Sequence, residues 1–487
     1  MTPASALQIP RPELKLPPLG NLIGGQWRTA ERRFSVLDKY TQQTIAEPYH
    51  ASADDVSDAV AAAAAAFARG PVPPVERARF LRKAAELVDR YRLRLIDIMV
   101  AETGFTASDS EGDLNRTIVT LNLCAEEATR IVGETVAFAA TPGQHDRLGF
   151  TIRVPLGVVC AITPFNSPLN TVAHKIAPAL AAGNPVVLKP SNLTPVTAAV
   201  LCEILMEAGV PDGFLSLVQG SGSTIGAQLV ADQRIAFYNF TGSTEVGRVI
   251  QQGAGLRRTQ MELGSIASTI VCADADIGRA IPKIANAGFR KAGQVCTSVQ
   301  RLYVEKSAFD NIVGALVKAA QGMKAGDPRA PDTRVGPMIT EKEAQRAESW
   351  IVEAAESQAR VMHGGTREGA VLAPTVVTNV GPGMKVVDRE IFAPCIVAMP
   401  FTDLSDAVQH ANNTPYGLSS GIFTQDVNKA LDAARSLRFG AIHINETSSS
   451  RADGMPFGGV KDSGFGHEGP KYAIRELTEE RLITLNR

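Results

Sequence analysis

Among six cysteines one stands apart by its setting. Cys124, Cys160, Cys202, Cys272 and Cys395 lie in apolar or helix-like stretches and read as small core residues. Cys296 sits in Gly293-Gln-Val-Cys-Thr-Ser298, a short turn between a helix ending near Arg290 and a strand beginning near Ser298. A thiol in such a turn can be exposed and activated to the thiolate that attacks carbon. For a lone cysteine, residue type and context leave a nucleophile and an inert thiol both open.

Phosphate chemistry requires a strand, a tight turn that exposes backbone N–H groups, and a helix N-terminus. Gly220-Ser-Gly222-Ser-Thr-Ile-Gly226 nearly matches a dinucleotide fingerprint, but its third glycine comes one residue late. Phe240-Thr-Gly-Ser-Thr-Glu-Val-Gly247 follows an expected strand and opens a helix, so Gly242 and Ser243 could meet a pyrophosphate. Either loop reads equally well as a capped helix after a glycine turn. The segment Pro456-Phe-Gly-Gly-Val-Lys-Asp-Ser-Gly-Phe-Gly466 is too rich in glycine for a regular element and reads as a loop whose backbone approaches something closely. The scattered cysteines form no C-x-x-C pair, and the seven histidines form neither H-E-x-x-H nor a local cluster, so no metal is expected.

The elements that must position these groups follow from periodicity. Short strands over 21–27 and 34–40 are expected to close an N-terminal hairpin. Apolar residues at helical spacing (Phe80, Ala84, Leu87, Val88, Tyr91) predict amphipathic helices over 54–68 and 75–103, with Ser52 or Asp54 as cap. From Gly157, apolar runs at 157–163, 185–189, 214–219 and 235–241 alternate with helical stretches at 169–181, 195–208 and 224–231. Continuous apolar strands joined by helical crossovers argue for a parallel sheet covered on both faces. A second series follows Glu262, with strands at 269–272, 298–304, 395–400, 420–423 and 441–445 and helices at 277–290 and 307–323. The fold class is α/β, with two doubly wound Rossmann-like units. Segments 147–154 and 477–485 belong to neither series and are candidates for a small third sheet.

Composition bounds the function. The 487 residues suggest about three domains. Forty-nine basic against 50 acidic residues give a net charge of -1, so neither nucleic acid nor a membrane surface is an expected partner. No apolar run approaches the ~20 residues that span a bilayer. The prolines of segment 1–18 suit an extended arm rather than a signal peptide, and a cytoplasmic location with reduced thiols is expected.

The chain resembles the aldehyde dehydrogenase superfamily from Asn21 onward, closest in look to its lactaldehyde and semialdehyde branch. The motifs, in order, are Ile162-Thr-Pro-Phe-Asn-Ser-Pro-Leu-Asn170, Leu188-Lys-Pro-Ser191, Phe240 to Gly247, Glu262-Leu-Gly264, Gly293-Gln-Val-Cys296, Glu390-Ile-Phe-Ala-Pro394 and Pro456-Phe-Gly-Gly459. The resemblance implies NAD(P)-dependent oxidation of an aldehyde to a carboxylic acid. Cys296 would attack the aldehyde carbon to give a thiohemiacetal, whose oxyanion the Asn166 amide and the Cys296 N–H would stabilise. Hydride loss would leave a thioester, and Glu262 would activate the water that hydrolyses it. Lys175 and Glu468 match a proton-relay pair, or else are an ordinary helix lysine and loop carboxylate.

For the cofactor, the resemblance implies that Lys189 and Ser191 hold the adenosine ribose, Gly242 and Ser243 the pyrophosphate, and Glu390 the nicotinamide ribose, with Phe392 near the ring. The same motifs add Ile162, Thr163, Pro164, Phe165, Asn192, Gly222, Gly226, Phe240, Thr241, Val246, Leu263 and Gly264 to the cofactor contacts. Asn192 stands where NAD-preferring members usually carry glutamate, and an amide would not repel a 2′-phosphate, so NAD and NADP both stay open. Phe165 and Ser265 replace a common tryptophan and glycine.

The substrate tunnel would include Ser167, His174, Val295, Thr297, Arg451 and Phe457. Small and polar residues there suggest a polar or anionic aldehyde, a semialdehyde or hydroxyaldehyde. Arg451 would meet a carboxylate or phosphate, or else pair with Asp453 or face solvent. Aromatic aldehydes, a coenzyme A-acylating reaction, a cofactor-free thiol esterase and a catalytically silent binding protein are the alternatives. The expected organisation is a dinucleotide-binding domain over 1–140 and 158–262, a catalytic domain over 263–445, a tunnel loop region over 446–473, and an oligomerisation element over 141–157 and 474–487. That element would build a homodimer or homotetramer.

Overall fold

The computed structural model describes residues 19–486, so the arm expected over 1–18 lies outside the described residues. The first sheet has eight strands in the order Gln26–Arg28, Asn21–Ile23, Leu215–Leu217, Val186–Lys189, Val158–Ile162, Ile235–Thr241, Arg258–Glu262 and Gly464–Phe465. Its five central strands are parallel. Both faces are covered, as continuous apolar strands require. Val159 and Ala161 pack with helices Pro74–Arg90, Asn170–Ala182 and Pro195–Glu207, whereas Val158 and Cys160 pack with Ala53–Ala68.

The chain builds this sheet outward from Val158–Ile162 to Leu215–Leu217, then returns to place Ile235–Thr241 on the other side. Strand order therefore reverses between Val158–Ile162 and Ile235–Thr241. Crossover loops diverge at such a point and leave a crevice outside the carboxyl ends of the strands.

The second sheet orders Arg360–His363, Thr375–Thr378, Cys395–Phe401, Arg301–Glu305, Ser268–Val271, Ser419–Phe423 and Ala441–Ile444. Arg147–Pro155 pairs antiparallel along its whole length with Thr478–Asn486, and Thr135–Val136 completes a three-stranded third sheet. Leu148, Leu482 and Leu485 are exposed on it.

Several boundaries differ from expectation. The N-terminal hairpin is Asn21–Ile23 with Gln26–Arg28, and Val36–Leu37 pairs separately with Thr44–Ala46. Ser52 is the cap of Ala53–Ala68, in a reciprocal box with Asp55. The expected 75–103 helix breaks at Tyr91 into Pro74–Arg90 and Arg92–Thr103. The strand expected from Ser298 starts at Arg301. The helix expected over 224–231 begins as a π turn, Gly222–Gly226, and only Ala227–Ala231 is α-helical. Of helix Ala107–Ala128 only the helix-like segment around Cys124 is legible in the sequence, because Ser, Asp, Gly, Asn and Thr dilute the helical signal of the rest. Burial of Leu114, Leu121 and Cys124 against neighbouring helices overrides that weak propensity.

Candidate active site

The switch crevice opens into a cavity of about 700 Å³ whose wall includes Asn166, Glu262, Cys296, Glu390, Arg451 and Glu468. After strand Val158–Ile162, Thr163-Pro-Phe leads to Asn166 just before helix Asn170–Ala182. After Ile235–Thr241 come Gly242 and Ser243, whose hydroxyl caps helix Thr244–Ala254 by accepting from the Val246 N–H.

Cys296 is delivered from the second unit by a strained turn. Helix Ile277–Phe289 ends, and Lys291, Ala292 and Gly293 follow in the left-handed region at φ 53, 52 and 67°. Such conformations cost on the order of 1 kcal/mol or more for each non-glycine residue and persist only where the surroundings enforce them. Here the Lys291 ammonium donates to Asp113 at 3.0 Å and to the Asn166 carbonyl at 3.2 Å. Gly293 also lacks room for a side chain, since a Cβ would strike the Ala393 carbonyl. The Asn166 amide donates to the Gln294 carbonyl at 2.8 Å, which ties it to the cysteine turn, and its second N–H has no protein acceptor among the described residues.

The half-buried Cys296 thiol is pushed up to about 12 by burial; Arg451 pulls it down, while Glu390, Glu262 and Glu468 raise it further. It therefore rests protonated and needs a base. Glu262 ends strand Arg258–Glu262 and is buried, and among the described residues no donor beyond Gln260 reaches its carboxylate oxygens. Burial and the Glu468 charge hold it well above the usual carboxylate range, with Lys175 opposing. Glu468 goes the other way. Burial would raise it, but Lys175 and Arg451 outweigh that and hold it below the ordinary range. Lys175 Nζ lies 2.9 Å from Glu468 Oε1, and both side chains are buried.

Of the residues expected in the tunnel, Ser167, Val295, Thr297, Arg451 and Phe457 line the cavity. The Ser167 hydroxyl is already bonded to Asp113 at 2.5 Å. Arg451 pairs with Glu468, not with Asp453, and its guanidinium lies 3.9 Å above the Phe457 ring. His174 is a correction: it is buried behind the wall, where Nε2 meets Asp453 at 3.0 Å. Lys175 on the same helix likewise stays behind Glu468. Asp453 is held by Arg116 at 2.8 Å and by Asn170 at 3.1 Å. Burial would raise its pKa, but His174 and Arg116 hold it well below the usual range. Asp453→Ala strands the Arg116 guanidinium and leaves the buried His174 ring without its acceptor, so a loss of about 3 kcal/mol is expected in chemical denaturation at neutral pH. Because the native pKa is lowered, that loss should be full above about pH 5 and shrink as the pH falls below the unfolded value near 4.

Sequence reasoning missed Arg290. Its guanidinium lines the cavity, donates to the Ser449 hydroxyl at 2.7 Å, and has no carboxylate within salt-bridge distance among the described residues. Thr297 Oγ1 lies 3.2 Å from the same hydroxyl. The signal available was position, since Arg290 ends the helix that leads into the Cys296 turn. Arg116 was missed with that part of its helix.

Two clusters fit a dinucleotide. Inside the cavity lie Pro164, Phe165, Thr241, Gly242, Ser243, Leu263, Gly264, Glu390 and Phe392. Glu390 accepts from the Ser265 N–H at 2.8 Å, and burial pushes it up to about 7. Phe165 and Phe392 meet edge to face with centroids 5.9 Å apart. Outside the cavity, Gly226 stands against the Lys189 stem, and Asn192 accepts from the Ser221 N–H at 3.2 Å once its amide is oriented to donate to the Gly220 carbonyl. Ser191 and Gly222 belong to these loops. Burial draws Lys189 down to about 8. Ile162, Thr163 and Phe240 are corrections in part: they lie off the cavity wall, and Phe240 is a buried ring beneath Gly242. Val246 is half exposed on the outer helix. A capped helix N-terminus and a half-buried carboxylate at one end, with a buried lysine and a glycine turn at the other, suit an elongated two-headed anion.

A family model described as the aldehyde dehydrogenase family matches residues 27–483. A 3-sulfolactaldehyde dehydrogenase of Priestia megaterium is 44% identical over 467 residues, covering 96% of this chain and 98% of that protein. The crystal structure of aldehyde dehydrogenase 21 from Physcomitrella patens, in complex with the reaction product succinate, superposes with a TM-score of 0.93 at 35% identity, covering 96% of this chain and 98% of that one. Glyceraldehyde-3-phosphate dehydrogenase from Methanocaldococcus jannaschii, complexed with NADP, does so at 0.90 and 34%, covering 94% and 100%. The chain belongs to the aldehyde dehydrogenase family. It is an enzyme of NAD(P)-dependent aldehyde oxidation, built on the two doubly wound units described above. All six cysteines are free, and among the described residues no cluster of His, Cys, Asp and Glu could hold a metal. No helix of the described residues is long and apolar enough to cross a membrane.

Proposed function

We propose that this enzyme oxidises a small anionic aldehyde, a semialdehyde or a sulfonated or phosphorylated hydroxyaldehyde, with Cys296 as nucleophile. The observation that carries the substrate class is Arg290, a cavity-lining guanidinium with no carboxylate partner, joined through Ser449 to Thr297 beside Cys296. A guanidinium left without an anion in a half-buried site is poised to take one from the substrate. The named substrates or product of the three relatives above all carry an anion. Arg451 is the secondary contact, its charge already shared with Glu468.

In this reading Cys296 loses its proton to Glu262 and adds to the aldehyde carbon. The oxyanion is held by the second Asn166 N–H and the Cys296 backbone N–H. The dinucleotide, when bound, supplies the hydride acceptor. Glu262 passes that proton on and, as a carboxylate again, takes a proton from the water that attacks the thioester, while Lys175 and Glu468 govern its charge. A hydrolytic base here disfavours the acylating alternative. Lys189, Ser191, Ser243 and Glu390 would hold NAD or NADP, and neutral Asn192 leaves the 2′-phosphate unrepelled. The first sheet is the dinucleotide-binding domain, the second the catalytic domain. The exposed leucines of the third sheet are the oligomerisation surface of a homodimer or homotetramer, working in the cytoplasm.

Arg290→Leu is the test. For succinate semialdehyde KM should rise about tenfold or more, the loss of one charge-assisted bond, while propionaldehyde kinetics stay within about twofold. Equal losses on both aldehydes would sink the anionic reading.

A further inference from the structure

Turning an aldehyde and a water into a carboxylate releases a hydride and two protons, so a buried base must hand on what it accepts. This inference rests on the reading of Glu262 given above. Two residues back on the same strand, and so on the same face, Gln260 is fully buried, its side chain acts on the Glu262 carboxylate, and no other protein group bonds its amide. Beside it in register on the next strand, Asn239 is also fully buried with an unpartnered oxygen. Buried polar atoms without protein partners are characteristically satisfied by internal water. The face behind Glu262 therefore gathers buried polar atoms of the kind that internal water satisfies.

This row of buried polar side chains has a far end. Gly466, at φ +81°, lies where a Cβ would stand 2.7 Å from Glu476 Oε2 and 2.8 Å from Gln260 Cγ. A bare backbone at this position lets the two side chains lie side by side. Glu476 ends helix Pro470–Glu476, which packs on helix Asn170–Ala182. Its Oε1 accepts from the His467 N–H at 2.8 Å and lies 3.4 Å from His467 Nδ1, and the His467 side chain is 52% exposed. The charged groups acting on Glu476 are His467 from the loop and Lys175 from the facing helix.

We propose that Gln260 and Glu476, with ordered water between them, carry protons from Glu262 to His467 and so to solvent. In deacylation, water adds to the thioester carbon, the C–S bond breaks, and its electron pair returns to the Cys296 sulfur. The water's proton passes to Glu262, then along the water held by Gln260 to Glu476, and leaves by His467. Glu476 and Gln260 touch no reacting atom; they act through Glu262.

The test uses the full-length chain with Glu476→Gln and Gln260→Leu, following thioester breakdown by rapid quench with and without imidazole as a small diffusible proton carrier. The burst of reduced dinucleotide should be unchanged. Breakdown should slow about tenfold in both variants and should recover in tens of millimolar imidazole, whereas Glu476→Asp should behave as wild type. A merely structural role would not respond to buffer. Unaltered breakdown in both variants, or slowing that imidazole leaves in place, would overturn the route. A wild type that shows no burst with any aldehyde would overturn the reaction on which the route stands, and the route with it.

Discussion

Cys296→Ala is expected to abolish aldehyde oxidation, lowering kcat by about 10⁴-fold or more. The size of the effect follows from the site's economy of nucleophiles. Cys296 is the one cysteine of the six that is not buried in a core, and it alone among them lines the cavity. No other lining residue carries a thiol, so none can form a thioester. The turn that carries it is stabilised by Lys291 and Gln294, not by the thiol, so the variant should fold and keep its melting temperature. Intact-mass measurement after quenching with substrate and dinucleotide should show an acyl adduct on the wild type and none on the variant. Residual turnover above about one part in a hundred would sink the covalent mechanism.

Glu262→Gln is the second large effect and separates the two half-reactions. A glutamine keeps the volume of the buried side chain but cannot accept a proton, so water activation should fall by about 10²- to 10³-fold. If another group can relieve Cys296 of its proton, a slow burst will survive while steady turnover is lost, and the acyl adduct will accumulate. The pH profile supplies an independent check. Burial and Glu468 raise the Glu262 pKa well above its ordinary value, so the fraction present as base grows over a pH range above the one in which an ordinary carboxylate titrates. Wild-type thioester breakdown should therefore climb with pH on a limb that the glutamine variant lacks. A variant with the same limb and the same rate would assign the base elsewhere.

Reading the residues in order conveyed much of this site and left specific gaps. The alternation of short apolar strands with helices was legible because strands covered on both faces are largely apolar, as Val158–Ile162 and Val186–Lys189 are, whereas central strand Arg258–Glu262, with Met261 as its one apolar residue, gave no such signal. The glycine segment 456–466 was legible as a close approach. In the fold Gly464 lies against the Met261 carbonyl, where no side chain fits. By contrast, most of Ala107–Ala128 carried too many poor helix formers to announce itself, and Arg116 went with it. The break at Tyr91 was equally hidden, because the apolar spacing runs across it.

The sequence by itself determined the class of chemistry. Seven motifs in order, a short turn around Cys296, and two apolar strand series suffice for a thiol-dependent dehydrogenase on a doubly wound frame, since these depend on local residue pattern. What only the tertiary structure decided is which charged groups are free. Arg451, His174 and Arg290 look alike in one dimension, as polar residues near motifs. Folding spends Arg451 on Glu468, buries His174 behind Asp453, and leaves Arg290 facing the cavity with a lone hydroxyl. The reason is that ion pairing and desolvation depend on distances of a few ångströms between segments far apart in sequence, such as Lys175 and Glu468, and no local spacing encodes those distances.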